Sequence, residues 1–441
     1  MNGMWLYMNF GKMENLLDEN SIDIAHGNPW PANILSNMWP HPFTMNGVQY
    51  TCMEAFVQSL KFSSPDDADR ISKLKNFEAR REGQKGNGWK KYQKLYWNGI
   101  EFDRQDQFYN DIVRCAFEHL CDQNFLFRLA LRITGSRKLD HSMGIDDPTN
   151  TILTRQEFMQ FLYELREKLI MTQDYDWKSD YNALIKDCVA LDTETTNIDV
   201  NEAEILQLAY TTEFHADPAN ILYRSVKPIP PEASAVHHIS NRMVRGLPTF
   251  GQNSGPVEEL ANKSVRFYIA HNSDYDRQVL VNSCKRDGLD SASAHFASSK
   301  WICTWRLAKA VLGVDYTKLQ YNLSYLRYAL DLDVPDDLPA HDGRADVIVC
   351  AKLFEMLVEI AVMDKKIYPG EDLGDQLYKL CWEPKKVETW PFGKHKGQKL
   401  DAIPTDFYMW AIENMDILKE DNERYDLDLA TSVAKVLETR M

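Results

Sequence analysis

Asp192 and Glu194 stand two residues apart in "LDTETT", at the end of the apolar run Cys188-Val189-Ala190-Leu191. In an extended strand alternate side chains share a face, so the two carboxylates project together while Thr193 points the other way. Close carboxylates repel and lose hydration, a cost that a bound hard cation offsets. A lone D-x-E also arises by accident where a strand runs out into a solvated acidic turn, so the pair needs company. Two further segments supply it. "HNSDYD" follows the apolar "VRFYIA" and opens a helical pattern, which delivers Asp276 at a strand–helix junction. "HDGRAD" opens a long apolar stretch with His341 and, five residues on, Asp346. Five residues turn a helix by about 500°, so the two cannot share one helical face. His341 is expected in the loop before the helix and Asp346 in its first turn or two. All these groups fall at element ends, where sites on open sheets collect.

The elements that must position them follow from periodicity. "CVALDT", "EILQLAYTTEF" and "ILYRSVKP" read as strands in a meander and "VRFYIAHN" as a fourth. "YDRQVLVNSCKRDG" reads as a helix stopped by Gly288, and "ADVIVCAKLFEMLVEIAV" as an apolar closing helix. Strands followed by strand–helix alternation predict an α/β unit over 184–365, a mixed sheet with helices on its faces. The preceding residues, 1–172, read as mainly helical, with helices near "CMEAFVQSLKF" and "RQEFMQFLYELREKLI". In the second of these, Glu157, Glu164, Arg166 and Lys168 form the expected polar face. A polar stretch, 173–183, marks the boundary between the two regions. Residues 366–388, with Pro369, Gly370 and Pro384 among charges, read as a connector to a small terminal module, 389–441.

The order and context of "LDTETT", "HNSDYD" and "HDGRAD" resemble the DnaQ-like 3′→5′ exonucleases, in the histidine-using subgroup of the ribonuclease H-like superfamily. "ASAVHHIS" resembles that family's V-H-G-I-(T/S) segment, with His238 in place of glycine. The resemblance implies that Asp192, Glu194, Asp276 and Asp346 hold two divalent metal ions, Mg²⁺ or Mn²⁺. It makes His341 the general base that takes a proton from the attacking water, and Asp192 and Glu194 part of the catalytic set. Hard oxygen ligands suit those ions, and imidazole titrates near neutral pH. The implied partner is nucleic acid, with DNA favoured over RNA.

The region 20–170 carries a different pattern. In "ILSNMWPHPFTMNGVQYTCMEAFVQSLKF", Met53, Phe56, Val57 and Leu60 form one apolar helical stripe, and Glu54, Gln58 and Lys61 form the next. Spacing alone makes the second stripe the wet side of an amphipathic helix. The segment also resembles the NADAR/YbiA-like N-glycosidases, matching at Ser36, Asn37, Pro40, Phe43, Gly47, Glu54, Gln58 and Lys61. That resemblance implies cleavage of an N-glycosidic bond, as in ADP-ribosylated guanine or riboflavin-pathway intermediates, with Glu54 catalytic and Asn37, Gln58 and Lys61 binding substrate. Met143 stands where the family's tryptophan would stack.

"WPFGKHKGQKLDAIPTDFYMWAIENM" resembles the small module that follows the nuclease in exodeoxyribonuclease X-like proteins. Residues 382–400 hold five lysines against two glutamates, a formal +3 in a chain of net charge -15. Lys394, Lys396 and Lys399, flexed by Gly393 and Gly397, suit phosphates, with Trp390 and Phe392 beside them to stack a base. A solvated turn between packed aromatics explains the same residues. The acidic total excludes a nonspecific nucleic-acid coat but not a nuclease whose metals supply local positive charge. Eight cysteines without a C-x-x-C pair, no signal-like start and no membrane-length apolar run predict a soluble, reduced, cytoplasmic protein. The sequence thus reads as a metal-dependent exonuclease fused to an N-glycosidase-like domain. The rival is a nucleotide- or nucleic-acid-binding protein whose first domain has lost catalysis.

Overall fold

The computed structural model describes residues 21–171, 176–312, 321–335, 337–419 and 426–440. Part of the expected boundary stretch, 172–175, lies outside them, as do the first twenty residues, on which the absence of a signal peptide was read. The chain forms two compact units, one ending at Tyr175 and the other beginning at Asp176, apart from Ala329–Asp331, which belongs with the first.

Among the described residues the first unit is helical, with three small two-stranded ladders. Strand β1 (Ser21–Asp23) pairs in parallel with β6 (Lys138–Asp140). The others are antiparallel, β2 (Phe43–Met45) with β3 (Val48–Tyr50) and β4 (Lys94–Trp97) with β5 (Ile100–Asp103). The helix Met53–Ser59 is capped by Cys52, whose Sγ accepts from Ala55 N. Its apolar stripe, Met53, Phe56, Val57 and Leu60, is fully buried, which anchors the neighbouring stripe at a fixed angle. The helix Arg155–Met171 opens on a capping box. Glu157 N donates to Thr154 Oγ1 at 3.1 Å and Thr154 N donates back to Glu157 Oε2 at 2.8 Å. The polar face expected there is put to structural use. Glu157 also accepts from the buried Arg104 at 2.7 Å, Glu164 from Arg114 at 2.9 Å, and Arg166 donates to Arg137 O at 2.9 Å.

The second unit is built on a five-stranded sheet in the order β11-β10-β7-β8-β9. Strands β7 (Cys188–Thr195), β10 (Phe267–Ala270) and β11 (Trp301–Cys303) run parallel. Strand β8 (Ile205–Tyr210) runs antiparallel to β7, and β9 (Ala219–Leu222) at the edge runs antiparallel to β8. The mixed sheet expected from the sequence is therefore present, and β11, only three residues long, adds a fifth strand to the four read from periodicity. Val189 and Leu191 pack with Val279 and Leu280 of the helix Ser273–Arg286 on one face. The helix Gly343–Met363 crosses the other face, where Gly343 sits against Gln207 and Ala209. A Cβ at Gly343 would meet Gln207 Oε1, the atom to which Gly343 N donates, at 3.1 Å, a tight contact that glycine avoids.

The stretches read as linkers are structured. Trp177–Leu184 is a helix capped by Asp176. Within 366–388 lies the helix Leu373–Trp382, capped by Asp372, with Leu377 and Cys381 fully buried. It covers the sheet edge at β11. Trp382 Nε1 donates to Trp301 O at 2.8 Å, and Cys303 N donates to Cys381 Sγ at 3.3 Å. The terminal residues pack around Trp390, Leu400, Tyr408, Leu429 and Val433. They are part of the second unit, and the buried ion pair Arg306–Asp428, 2.9 Å, joins them to the rest of it.

Candidate functional site

The central strand β7 delivers Asp192 and Glu194 to the face crossed by the helix Gly343–Met363. That helix carries Asp346 in its first turn, and its N-cap Asp342 accepts from Ala345 N at 3.0 Å. His341 lies just before the cap, exposed and in the left-handed conformation with φ 56°. The loop position for His341 and the first-turn position for Asp346 are both as the 500° argument requires. One ligand atom from each of Glu194, His341 and Asp346 lies within 4.8 Å of the other two. Asp276 enters from the first turn of Ser273–Arg286 and is 3% exposed.

Thr193 joins this set although its side chain leaves the opposite face of β7. Its backbone N and its Oγ1 both donate to Asp276 Oδ1, at 3.0 and 2.7 Å. The residue between the two carboxylates therefore holds the third. Asp276, so placed, faces the same centre of charge as the others.

Burial raises all four carboxylates, and for three of them the neighbouring acids push the same way. Asp192 is held well above the usual carboxylate range by burial and then by Asp276, Glu194 and Asp346. Glu194 is pushed up to about 8 by burial and then by Asp346 and Asp276. Burial takes Asp276 to about 7 against the hydrogen bonds from Thr193, and Asp346 to about 6. Among the described residues no lysine or arginine forms an ion pair with any of the four. The Arg327 charge lowers Asp346 without pairing with it, and four hard oxygen donors so placed fit a divalent ion of the Mg²⁺ class.

Two left-handed residues shape the surrounding turns. Asn272, φ 69°, turns the chain from β10 into the helix of Asp276, a conformation asparagine adopts more readily than most. His238, φ 61°, occupies the C-cap of the helix Pro231–His237, where a glycine would carry no Cβ penalty. Tyr275 closes the same corner, donating to Asn197 O at 2.6 Å and contacting Thr195 Oγ1.

The first unit holds a separate cavity of about 290 Å³ lined by Asn37, Glu54, Gln58, Arg80, His141 and Met143, among others. Gln58 Nε2 donates to Glu54 Oε1 at 2.9 Å. Burial raises the Glu54 carboxyl, opposed by that hydrogen bond and then by the charges of Arg80, Lys61 and His141. Gln58 is 7% exposed, so this stripe is not the wet side of the helix. Asn37 Oδ1 and Gln58 Oε1 are buried with no hydrogen-bond partner. Lys61 does not line the cavity. It donates to Asn87 Oδ1 at 3.1 Å, and burial lowers it to about 8. Met143 sits at the cavity, 73% exposed. Arg80 and His141 carry no motif by which the sequence could have offered them.

In the terminal module Lys394, Lys396 and Lys399 are exposed on a turn shaped by Gly393, φ 61°, and Gly397, φ 80°. Trp390 is 1% exposed and packs against Phe392 and Phe407, so it belongs to the core and stacks no ligand.

Comparison with known proteins separates the two units. Residues 29–167 match the family described as Bacteriophage protein GP30.3. An uncharacterized 17.1 kDa protein from the Gp30-rIII intergenic region of enterobacteria phage T4 is 30% identical over 151 residues, covering 34% of this chain and 99% of that protein. The chain belongs to the GP30.3 family. To the GP30.3 region it adds residues 189–354, which match the exonuclease family, and this region is a DnaQ-like exonuclease domain. Exodeoxyribonuclease 10 of Escherichia coli K12 is 25% identical over 232 residues, 51% of this chain and 90% of that enzyme. A structure of exonuclease X with 5′ overhanging duplex DNA is 24% identical, with TM-score 0.31, covering 43% of this GP30.3-family chain and 99% of that one. No helix among the described residues is long and apolar enough to cross a membrane.

Proposed function

We propose that the second unit is a metal-dependent 3′→5′ exonuclease acting on DNA, with Asp192, Glu194, Asp276 and Asp346 as ligands of two Mg²⁺ or Mn²⁺ ions. The observation that carries this reading is the convergence of four carboxylates, elevated by burial, on one cleft beside His341. Bound ions would supply the positive charge that polarises a phosphodiester and steadies its leaving oxygen. The protein's own part is positional and acid–base. Its carboxylates ionise and turn toward one centre, Thr193 fixes Asp276, and exposed His341 accepts the proton of the attacking water. The exodeoxyribonuclease 10 likeness supports DNA as substrate. Eight free cysteines, seven of them buried, suit a reducing cytoplasm. The domain limits follow the compact units, with the terminal module as part of the nuclease unit. Digestion of 5′-labelled DNA and RNA strands tests the reading. Shortening from the 3′ end with Mg²⁺ and none with EDTA is expected. Intact DNA under both conditions, or equal digestion under both, overturns it.

The cavity of the first unit favours a second activity, cleavage of an N-glycosidic bond such as that of ADP-ribosylated guanine. Glu54 is the carboxylate placed to stabilise an oxocarbenium-like transition state or to activate water, while Asn37 and Gln58 offer unpartnered polar atoms to the sugar. Lys61 acts behind Glu54 through its charge rather than by lining the cavity. Release of ADP-ribose from modified DNA in EDTA, where the nuclease is silent, is the test. No release sinks the activity and leaves a binding module.

A further inference from the structure

The helix Thr405–Asn414 turns Tyr408 and Ala411 into the core of the terminal module, both fully buried. Its outer surface is unusually apolar for a solvent-facing helix. Met409 is 54% exposed, Trp410 53% and Ile412 41%. An indole left half in water loses the free energy that its burial would supply, so a partner for that ring is a physical expectation. Trp410 is also not isolated from charge. Its ring stands 5.9 Å from Phe407, and the Phe407 ring stands 4.4 Å from His395, which lies in the basic turn of Lys394, Lys396 and Lys399. Among the described residues none of those three lysines is paired with a carboxylate. Asp406 and Glu413 are exposed on the same helix.

We infer that Trp410 and the turn Lys394–Lys399 form one binding surface for single-stranded nucleic acid. In it Trp410 stacks a base and the lysines meet the adjacent phosphates. An exposed aromatic face beside unpaired cations is the chemistry of sequence-tolerant strand binding. A partner offering apolar contact alone would leave three clustered ammonium groups unmatched. Trp410 thereby takes the stacking role for which the sequence offered Trp390 and Phe392, both committed to the module's own packing. The inference shares its ligand with the nuclease reading but uses none of its site residues.

Fluorescence anisotropy of a fluorescein-labelled oligothymidylate, titrated with the full chain in EDTA, tests the surface. Trp410→Ala is expected to weaken binding roughly 5- to 150-fold with little change in salt slope, and Trp410→Phe to keep most of the affinity. Replacing Lys394, Lys396 and Lys399 by Ala should lower the slope of log affinity against log salt by about 2. Circular dichroism melting checks that each variant folds. Unchanged affinity in Trp410→Ala overturns the inference, as does wild type that binds no oligonucleotide. Sedimentation showing a dimer that Trp410→Ala dissociates would give the face to a second copy and overturn it too. Should the wild type bind tightly yet digest no strand with Mg²⁺, the nuclease reading falls and the surface stands.

Discussion

Glu54 and the Asp192 cluster are both buried acid, built to opposite electrostatic plans. Glu54 is one carboxylate facing Arg80, Lys61 and His141, all of which oppose the effect of its burial. Asp192 faces Asp276, Glu194 and Asp346, all of which add to it. A single acid compensated by protein cations can work without a metal. Four crowded acids, of which the Arg327 charge lowers Asp346, ionise together far more readily once a cation binds. The difference sets apart the group of acids whose donors fit a metal ion from the one that does not call for it.

Four experiments break or sharpen this contrast. Asp192→Asn should lower digestion at least a hundredfold, beyond the roughly 10- to 100-fold typical of losing an outer ligand partner. It should also raise the melting temperature of the metal-free protein by relieving repulsion. Nuclease rates equal to wild type would refute the metal assignment. Glu54→Gln should abolish release of ADP-ribose while leaving digestion intact, because the charge is lost and the size is kept. Equal release by this variant would show that another group does the chemistry. Thr193→Val keeps the shape but removes one donor to Asp276. Isothermal titration with Mn²⁺ should show affinity about tenfold weaker, recovered in Thr193→Ser. A valine variant that binds Mn²⁺ as wild type does would deny Thr193 its role.

The smallest effect is on stability and pH. Asp346, Asp276 and Glu194 titrate inside the fold at about 6, 7 and 8, above their ordinary values of 3.8 or 4.5. In the unfolded chain they have already lost their protons in that range. The native state then binds more protons, so its stability falls as pH rises from about 5 to about 8.5. Melting in EDTA should show that fall, Mg²⁺ should reverse it, and Asp192→Asn should flatten it. A melting temperature in EDTA that is level over this range would contradict the elevated carboxylates.

The acidic cluster of the second unit was legible in the sequence because local rules place its members. Period-two alternation put Asp192 and Glu194 together, and helix geometry separated His341 from Asp346. Asp342 was legible in principle as a helix cap, being an Asp just ahead of an apolar helical run. Thr193 was not. Alternation points it away from the pair, and only the three-dimensional path of Ser273–Arg286 brings Asp276 under its hydroxyl. The cavity of the first unit was half legible, since Glu54 and Gln58 share a stripe. Arg80 and His141 reach it through long-range packing that no spacing records. The stretch 366–388 was misread because proline, glycine and charge at its ends masked the short helix between them.

That short helix bears on where the chain can be cut. Stopping at residue 365, as the sequence limits of the nuclease suggest, would strip Trp382 and Cys381 from Trp301 O and Cys303 N. Those backbone groups would then line an open, apolar strand edge, a template for pairing with the same edge of another molecule. Such a truncated nuclease should be recovered largely as aggregate during expression, while one ending beyond Trp382 should stay in solution.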